Sequence, residues 1–252
     1  MTYNLAEHLD AYRRIADGGL TQWNDLFEPD AWTYDRFQGR EFLEHALQQI
    51  APAPGSRVFE YGCGTGPAAC FLAARGLEVD AVDLVPDAIA IARRMAAARE
   101  VAVDFRVADI CTDPPPEVAV YDLVVDNNCL QTVVTDNDRR ALYRSVRARL
   151  KPSGHYLVST VLRQPERDDE DGFVYDASSG IYYREISAGS NESIEQVVSI
   201  GGRRCLPHRR HLSADALHAE LTDNGLTVVD ADGGDLICRR DDHDLHRSTN
   251  DE

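Results

Sequence analysis

Three glycines and two acidic residues have the spacing of a nucleotide-type binding site. Gly62, Gly64 and Gly66 follow a short apolar segment, Glu60 lies just before them, and Asp83 comes roughly 20 residues after the first glycine. Glycines in a strand-to-helix turn let the backbone approach a ligand, and the following helix presents free N–H groups. A carboxylate ending the next strand can accept hydrogen bonds from both ribose hydroxyls. The pattern predicts a nucleotide-like cofactor.

The glycine spacing indicates the kind of cofactor. The chain has G-x-G-x-G followed by Pro67, whereas a dinucleotide-binding turn has G-x-G-x-x-G. Glu60 would lie beside a pyrophosphate, where like charge is unfavourable. A carboxylate suits a cationic ligand, and S-adenosylmethionine has an ammonium group, a sulfonium, a ribose and an adenine.

On these residues, the chain resembles the class I S-adenosylmethionine-dependent methyltransferases of small-molecule type, over about residues 55–162. The resemblance implies that the motif from Glu60 to Gly66 holds the methionine part of S-adenosyl-L-methionine and that Asp83 binds its ribose. It also implies that Leu84 contacts the adenine and that Asp109, within Ala108-Asp109-Ile110, takes the adenine amino group.

Two further segments match the family in order along the chain. Asp126-Asn127-Asn128 stands where the methyl donor meets the acceptor, and residues 150–154 resemble an L-[KR]-P-G-G turn with Ser153 in place of the first glycine. Asn127-Asn128-Cys129 is not the N-P-P-[YFW] motif of nucleic-acid amino methyltransferases, which argues against DNA as substrate.

Several of these residues have alternative roles. Asp83 and Asp109 could cap the elements that follow them, and Cys63 is interpreted as a small filler rather than a nucleophile. Asp126 could bind the methionine amino group, contact the substrate or cap a helix.

The elements that must position these residues follow an α/β pattern. Short β-branched segments alternate with amphipathic ones from Arg57 onward, which is typical of a parallel sheet. We predict a single Rossmann-like domain with a mostly parallel seven-stranded sheet, helices on both faces, an N-terminal helical lid and an antiparallel insertion after the fifth strand. Predicted core strands are 58–61, 79–83, 101–107, 120–125, 156–161, 226–229 and 235–238, and predicted helices are 67–74, 86–99, 136–150 and 213–224.

Finer expectations concern turns, caps and the insertion. We expect Asp136 or Asn137 to cap the helix over 136–150 and residues 151–154 to form a turn. Residues 163–180 are polar, and extended segments follow at 181–186, 194–200 and 203–212, with Gly201-Gly202 as a hairpin turn.

The chain is predicted to divide into five segments. They are an N-terminal helical and aromatic lid (1–50), the cofactor-binding core (51–162), the antiparallel insertion or substrate cap (163–212), the C-terminal helix and strands (213–240) and a tail (241–252).

Methyl transfer needs no protein nucleophile or metal, and a general base only for some acceptors. Candidate bases are His208 and His211, and less favoured are Asp126 and Tyr183. Cys205-x-x-His208-x-x-His211 has metal-ligand residue types, but an extended strand would place His208 on the face opposite the other two. No metal is therefore expected.

The acceptor site is predicted where segments outside the core reach the carboxyl edge of the sheet. The predicted substrate-binding residues are Trp23, Trp32, Tyr34, Phe37, Asn127, Gln131, Tyr182 and Arg209. The aromatic residues near the N-terminus could instead pack onto the body of the protein. The cations Arg203, Arg204, Arg209 and Arg210 could cradle an anionic acceptor or could simply pair with nearby acids.

Charge and composition limit the partners. The chain has 26 Lys and Arg against 43 Asp and Glu, a net charge of −17, which disfavours nucleic acid. No apolar segment reaches the length that spans a bilayer, and the N-terminus lacks a secretory pattern, so we expect a cytoplasmic protein without membrane contact. The partners expected are a small-molecule substrate and at most a second copy, as a monomer or homodimer.

The prediction is therefore an S-adenosylmethionine-dependent methyltransferase acting on a small-molecule acceptor of secondary-metabolite type, with an anionic acceptor as one option. The alternative is a catalytically silent relative that binds the cofactor and regulates a partner. A nicotinamide-dependent oxidoreductase is a third possibility.

Overall fold

The computed structural model describes residues 5–27, 33–167, 170–186 and 197–241. Trp32 and all of the predicted tail beyond residue 241 lie outside the described residues. The helices are α1 (Leu5–Asp17), α2 (Arg40–Ile50), α3 (Pro67–Ala73), α4 (Pro86–Ala98), α5 (Asp136–Arg149) and α6 (Ala214–Asp223), with short 3₁₀ helices at Trp23–Leu26, Leu130–Thr132 and Pro165–Arg167.

Seven strands form the central sheet, in the order β10-β11-β5-β4-β1-β2-β3. All neighbouring pairs from β5 to β3 are parallel, and β11 is antiparallel to both β5 and β10. The predicted α/β architecture is confirmed. These strands are β1 (Arg57–Tyr61), β2 (Glu78–Asp83), β3 (Val103–Val107), β4 (Tyr121–Asn127), β5 (Leu150–Ser159), β10 (Leu226–Asp232) and β11 (Asp235–Arg240).

The central strands are buried on both faces, because helices cover each side. Val58 of β1 packs in one core with α2, α3 and α4, whereas Phe59 packs in the other with α5 and α6. Neighbours in a strand point to opposite faces, so strands covered on both sides consist of continuous apolar residues. This explains why β1 and β4 were recognisable as short hydrophobic segments.

The turn predicted at residues 151–154 is wrong. Residues 150–159 form one strand, and the register with β4 jumps from Tyr121 opposite Leu150 to Leu123 opposite His155. The extra residues are absorbed as an irregularity within the strand. The ammonium of Lys151 bonds both carboxylate oxygens of Asp122, at 2.8 and 2.9 Å, which holds the segment against β4.

The predicted cap of α5 is also wrong. Thr135 is the N-cap, and its hydroxyl accepts a hydrogen bond of 3.2 Å from the Asp138 amide. Asp136 instead lies in the first helical turn, where a negative charge is favourable next to the positive end of the helix dipole.

The insertion forms a second, antiparallel sheet in the order β6-β7-β9-β8. Gly201 and Gly202 have φ of +57° and +80°, as a two-residue hairpin turn requires. Residues 173–176, which were predicted only as polar, form its edge strand β6. Of the segment predicted extended at 194–200, residues 198–200 form β8 and residues 194–196 lie outside the described part. The strands are β6 (Phe173–Asp176), β7 (Ile181–Glu185), β8 (Val198–Ile200) and β9 (Arg203–Arg210).

The N-terminal segment packs beside the core. Tyr12 and Ile15 of α1 are buried against Val85, Ala88 and Ile91 at the start of α4. Within the described ranges, every helix is too short or too polar to cross a bilayer.

Candidate active site

A cavity of about 420 Å³ opens at the carboxyl ends of the parallel strands, where open α/β sheets bind ligands. We divide its wall into two parts, joined by the N-terminal segment and residues 127–129. The glycine-turn side consists of Gly62, Cys63, Gly64, Thr65, Pro67, Val82, Asp83, Leu84, Ala108 and Ile110. The insertion side consists of Gln131, Thr132, Val161, Arg167, His208, Arg209 and His211, together with Glu7.

The glycine turn needs glycine for two different reasons. Gly64 has φ of +54°, and a Cβ there would lie 2.7 Å from the hydroxyl oxygen of Tyr12. Gly66 has φ of +83°, and a Cβ there would lie 2.7 Å from the ring of Phe105. Gly62 and Gly64 line the cavity, whereas Gly66 allows α3 to pack closely on the sheet.

Asp83 holds the glycine turn as well as lining the cavity. Its two carboxylate oxygens accept hydrogen bonds from the amides of Gly64 (2.8 Å) and Val85 (2.9 Å). Burial raises the pKa of Asp83, and these two backbone hydrogen bonds oppose that rise. Since Val85 precedes the first helical residue, Asp83 does not cap α4 in the usual way.

Two more carboxylates are buried beneath the turn, one on each face of the sheet. Glu60 is 1% exposed and Asp126 is fully buried, and neither lines the cavity. Burial raises the pKa of both, to about 7 for Asp126, and the charges of Asp126 and Asp83 add to the rise at Glu60. Among the described residues, Oε2 of Glu60 and Oδ2 of Asp126 have no hydrogen-bond partner. The glycine-turn side is therefore suited to positive charge.

Asp126 also shapes the loop that follows β4. Its Oδ1 accepts hydrogen bonds from the amides of Cys129 (2.9 Å) and Leu130 (3.0 Å). Of the three roles considered for Asp126, the described geometry shows the capping contact.

The residues predicted around adenine fall into two groups. Leu84 and Ile110 line the cavity and supply an apolar surface there. Asp109 does not line it, and its Oδ1 accepts a hydrogen bond from the amide of Cys111 at 2.9 Å.

A buried arginine holds the other side of the loop after β4. Arg139 is 2% exposed and forms a bidentate ion pair with Glu220 of α6, at 2.6 and 2.7 Å. Its Nη1 donates to the carbonyls of Leu130 (3.0 Å) and Val133 (3.2 Å). The loop that presents Gln131 is thus fixed by Asp126 at its amides and by Arg139 at its carbonyls.

A β-bulge changes the expected orientation of the histidines. Tyr182 pairs with Arg209 but Tyr183 pairs with Pro207, so that His208 is an extra residue in β9. The bulge resets the alternation of faces, and both His208 and His211 line the cavity, contrary to the expectation of opposite faces.

The two histidines have different environments. Nε2 of His208 lies 3.1 Å from a carboxylate oxygen of Glu7, and this hydrogen bond lowers the pKa of Glu7. His211 is 3% exposed; burial, and then the charges of Arg209 and Arg167, lower its pKa to about 4. Its imidazole is therefore neutral at pH 7. The described residues contain no cluster of three or more metal-ligating side chains.

The remaining predicted residues are divided between the cavity and its supports. Trp23, Phe37, Asn127, Gln131 and Arg209 line the cavity.

Other predicted residues do not line the cavity. They are the tyrosines Tyr34, Tyr182 and Tyr183 and the arginines Arg203, Arg204 and Arg210. The Tyr34 hydroxyl donates to the Gly66 carbonyl at 3.2 Å, Tyr182 is fully buried against His211, and Tyr183 is not among the lining residues. Arg210 pairs with Asp136, and Arg203 lies 3.6 Å from Glu185.

Sequence reasoning missed several lining residues from the N-terminal segment. Tyr12 was assigned to an amphipathic helix, and its hydroxyl instead lies against Gly64. Glu7, His8 and Gln22 also line the cavity. A helical pattern of spacing identifies a buried face but not what that face contacts, so no local signal could have found them.

Comparison with known proteins is consistent with this geometry. Residues 58–154 match the family described as methyltransferase domain. The ubiquinone biosynthesis O-methyltransferase of Xanthomonas axonopodis pv. citri is 32% identical over 123 residues, 49% of this chain and 50% of that protein. The phosphoethanolamine N-methyltransferase of Triticum aestivum is 31% identical over 138 residues, 54% of this chain and 26% of that protein. The chain thus matches about half or less of the length of these relatives.

Solved structures share the fold over most of the chain. An S-adenosylmethionine-dependent methyltransferase from Clostridium acetobutylicum ATCC 824 has a TM-score of 0.61 at 13% identity, covering 91% of this chain and 99% of its own. The 1,6-didemethyltoxoflavin-N1-methyltransferase of Burkholderia thailandensis has a TM-score of 0.57 at 16% identity, covering 95% and 89%. This chain thus shares the fold of S-adenosylmethionine-dependent methyltransferases, and residues 58–154 within it match the methyltransferase domain family.

Proposed function

We propose that the protein transfers a methyl group from S-adenosyl-L-methionine to a small-molecule acceptor bound at the insertion side. The observation that supports this most is the set of three buried carboxylates around the glycine turn, Glu60, Asp83 and Asp126. Two of them, Glu60 and Asp126, have an oxygen without a partner in the part of the chain that the structure describes. Buried carboxylates without a counter-charge are costly, and a cationic ligand relieves that cost.

The residues present fit this cofactor. Asp83 lines the cavity with lone pairs left for ribose hydroxyls, Leu84 and Ile110 offer apolar surface to an adenine, and Gly62 and Gly64 let the ligand approach the backbone. When bound, S-adenosylmethionine supplies a methyl group whose transfer breaks the S–CH₃ bond, forms a bond to the acceptor and converts the sulfonium to a neutral thioether.

The protein contributes mainly alignment and exclusion of water. The loop after β4 is held at both its amides and its carbonyls, so the acceptor-facing residues are preorganised. For an acceptor that loses a proton, we propose that His211 or His208 receives it, since both line the cavity and Tyr183 does not. Asp126 is buried behind the loop after β4 and does not line the cavity. Its carboxylate is therefore better placed to stabilise the positive charge of the cofactor than to take a proton from the acceptor.

Relatives support a small acceptor without deciding the atom that is methylated. One is named as an O-methyltransferase and another as an N-methyltransferase, and a structural neighbour was solved with 1,6-didemethyltoxoflavin bound. In the described part of the chain, the cavity continues past the glycine turn to the insertion side. The alternative of a silent regulatory relative therefore has no support.

Calorimetry with S-adenosylmethionine tests the cofactor, using Asp83→Ala and the exposed, matched control Asp87→Ala. We expect Asp83→Ala to weaken binding about a hundredfold, because both a ribose contact and the amide contacts that hold the turn are lost. Asp87→Ala should bind as the wild type does. No heat with the wild type, or equal affinity in Asp83→Ala, would refute the proposal. Product masses after incubation with a metabolite panel then test transfer.

A further inference from the structure

The side chain of Gln131 has a fixed orientation at the insertion side. Its Oε1 accepts hydrogen bonds from the Thr160 hydroxyl and the Val161 amide, each at 3.0 Å. A backbone N–H can only donate, so the atom facing Val161 must be the oxygen of the Gln131 amide. Nε2, with its two N–H groups, is directed away from both.

This Nε2 is available to a ligand. Among the described residues, none accepts a hydrogen bond from it, and it is not one of the solvent-inaccessible atoms without a partner. Gln131 lines the cavity and directly follows Cys129 and Leu130, whose backbone amides donate hydrogen bonds to Asp126. The site therefore presents a rigid, neutral donor to the acceptor.

Two acidic residues on the insertion side are already paired with cations of the protein. Glu7 is already engaged by His208 at 3.1 Å, and Glu170 accepts from both Arg167 (2.8 Å) and Arg209 (2.6 Å). The two carboxylates described near this side thus bind the protein's own cations. What remains for a ligand is a set of donors and a neutral imidazole.

We infer that the acceptor presents an oxygen with free lone pairs, a carboxylate, carbonyl or phenolate, to Nε2 of Gln131, and that this contact selects such acceptors over ammonium compounds. The inference rests on the proposed function and extends it to a substrate class. A donor facing a carboxylate forms a charge-assisted hydrogen bond, whereas an ammonium group would face N–H dipoles of its own sign.

Three probes of similar size and different charge test the inference: benzoate, benzamide and benzylammonium. They are titrated into the full chain saturated with S-adenosylhomocysteine, with binding followed by ligand-observed NMR. We expect benzoate and benzamide to bind at least about tenfold more tightly than benzylammonium. Equal affinities, or no binding of any probe at about 10 mM, would overturn the inference.

Gln131→Glu provides the sharpest variant. Glutamate keeps an oxygen for Thr160 and Val161 and changes only the atom that faces the cavity, from a donor to a charged acceptor. We expect benzoate affinity to fall at least about tenfold while the affinity for S-adenosylhomocysteine stays within about twofold. Gln48→Glu, on the exposed surface of α2, makes the same charge change away from the cavity and should leave both affinities unchanged. Unaltered benzoate binding in Gln131→Glu would overturn the inference.

The outcome is distinguishable from failure of the proposed function. If the wild type binds neither S-adenosylmethionine nor S-adenosylhomocysteine, the proposed function fails, and the same probes titrated into the protein alone still test the selectivity of Gln131. If the cofactor binds and the probes show no preference, only the inference fails.

Discussion

The glycine-turn side and the insertion side of the cavity differ in how their charges are arranged. On the glycine-turn side, Glu60 and Asp126 keep oxygens without partners beneath a turn held by Asp83. On the insertion side, Glu7 and Glu170 are paired with histidine and arginine, and the available group is the neutral donor of Gln131. One side is suited to a cation and the other to an oxygen.

This difference agrees with the proposed chemistry. Methyl transfer from a sulfonium removes a positive charge from the glycine-turn side, so buried carboxylates there favour the substrate form of the cofactor over its product. On the insertion side, Glu7 and Glu170 are already paired with the protein's own cations, so they compete less for that cation. Each side therefore contributes to specificity by a different interaction.

The largest effect is expected at Arg139, which holds the carbonyls of the loop after β4. Arg139→Ala would leave Glu220 without its ion-pair partner and would remove one donor from each of the Leu130 and Val133 carbonyls, so we expect the free energy of unfolding to fall by about 3–5 kcal/mol. Urea denaturation measures this loss. Arg144→Ala, an exposed arginine on the same helix, is the control and should change stability little.

Arg139→Lys tests whether the glycine-turn side and the insertion side bind their ligands independently. It keeps the charge but not the bidentate geometry, so the loop after β4 should loosen. We expect benzoate binding to weaken several-fold and cofactor affinity to stay within about twofold. Equal losses at both sites would show that the two sides are not independent.

An intermediate effect is expected from the pH dependence of cofactor binding. Burial raises the pKa of Asp126 to about 7, so its carboxyl is largely protonated below that pH and charged above it. Because a cationic ligand favours the charged form, cofactor affinity should rise about tenfold between about pH 6 and pH 8. For the free protein, the raised pKa means that stability declines as pH rises from about 4 through about 7.

Calorimetry on Asp126→Asn checks this assignment. The amide keeps an oxygen for the amides of Cys129 and Leu130 but has no charge to titrate, so the rise of affinity with pH should become shallower. Ionisable groups of the cofactor itself titrate in the same way with the wild type and with Asp126→Asn, so they do not contribute to the difference between the two proteins. If cofactor affinity rises equally with pH in the wild type and in Asp126→Asn, Asp126 is not the group that causes the rise.

The smallest effect is expected from the amide chain that connects the N-terminal segment to the loop after β4. Asn24 donates to Gln38 at 3.2 Å and Gln38 donates to Asn128 at 2.9 Å, all at the cavity wall. These contacts are exposed, so Gln38→Ala should weaken benzoate binding only about two- to threefold and leave the cofactor unaffected. Gln48→Ala is the matched control. A tenfold loss would mean that the N-terminal segment closes the acceptor site more firmly than these contacts indicate.

The two sides also differ in how far sequence predicts them. Gly62, Gly64, Asp83 and Leu84 were identified because a strand, a turn and a helix follow one another within a short stretch, and that order itself brings them together. Trp23, Phe37 and Gln131 line the cavity because their segments enter at the carboxyl edge of the sheet, and no short stretch of sequence brings them together.

Other features depended on competition between distant segments. Thr135 rather than Asp136 caps α5, and residues 150–159 continue as a strand because Asp122 of β4 binds Lys151. The bulge that directs both His208 and His211 to the cavity arises from the pairing of β9 with β7. No single segment contains that information.

The sequence by itself determined the class of fold, the order of the core elements and the cofactor turn, because hydrophobic periodicity and glycine spacing act over neighbouring residues. The tertiary structure alone decided which charges are compensated. Glu7 meets His208 across 201 residues, and Arg139 meets Glu220 across 81. Such pairs form only when packing brings the elements together, and they decide which donors remain for a ligand.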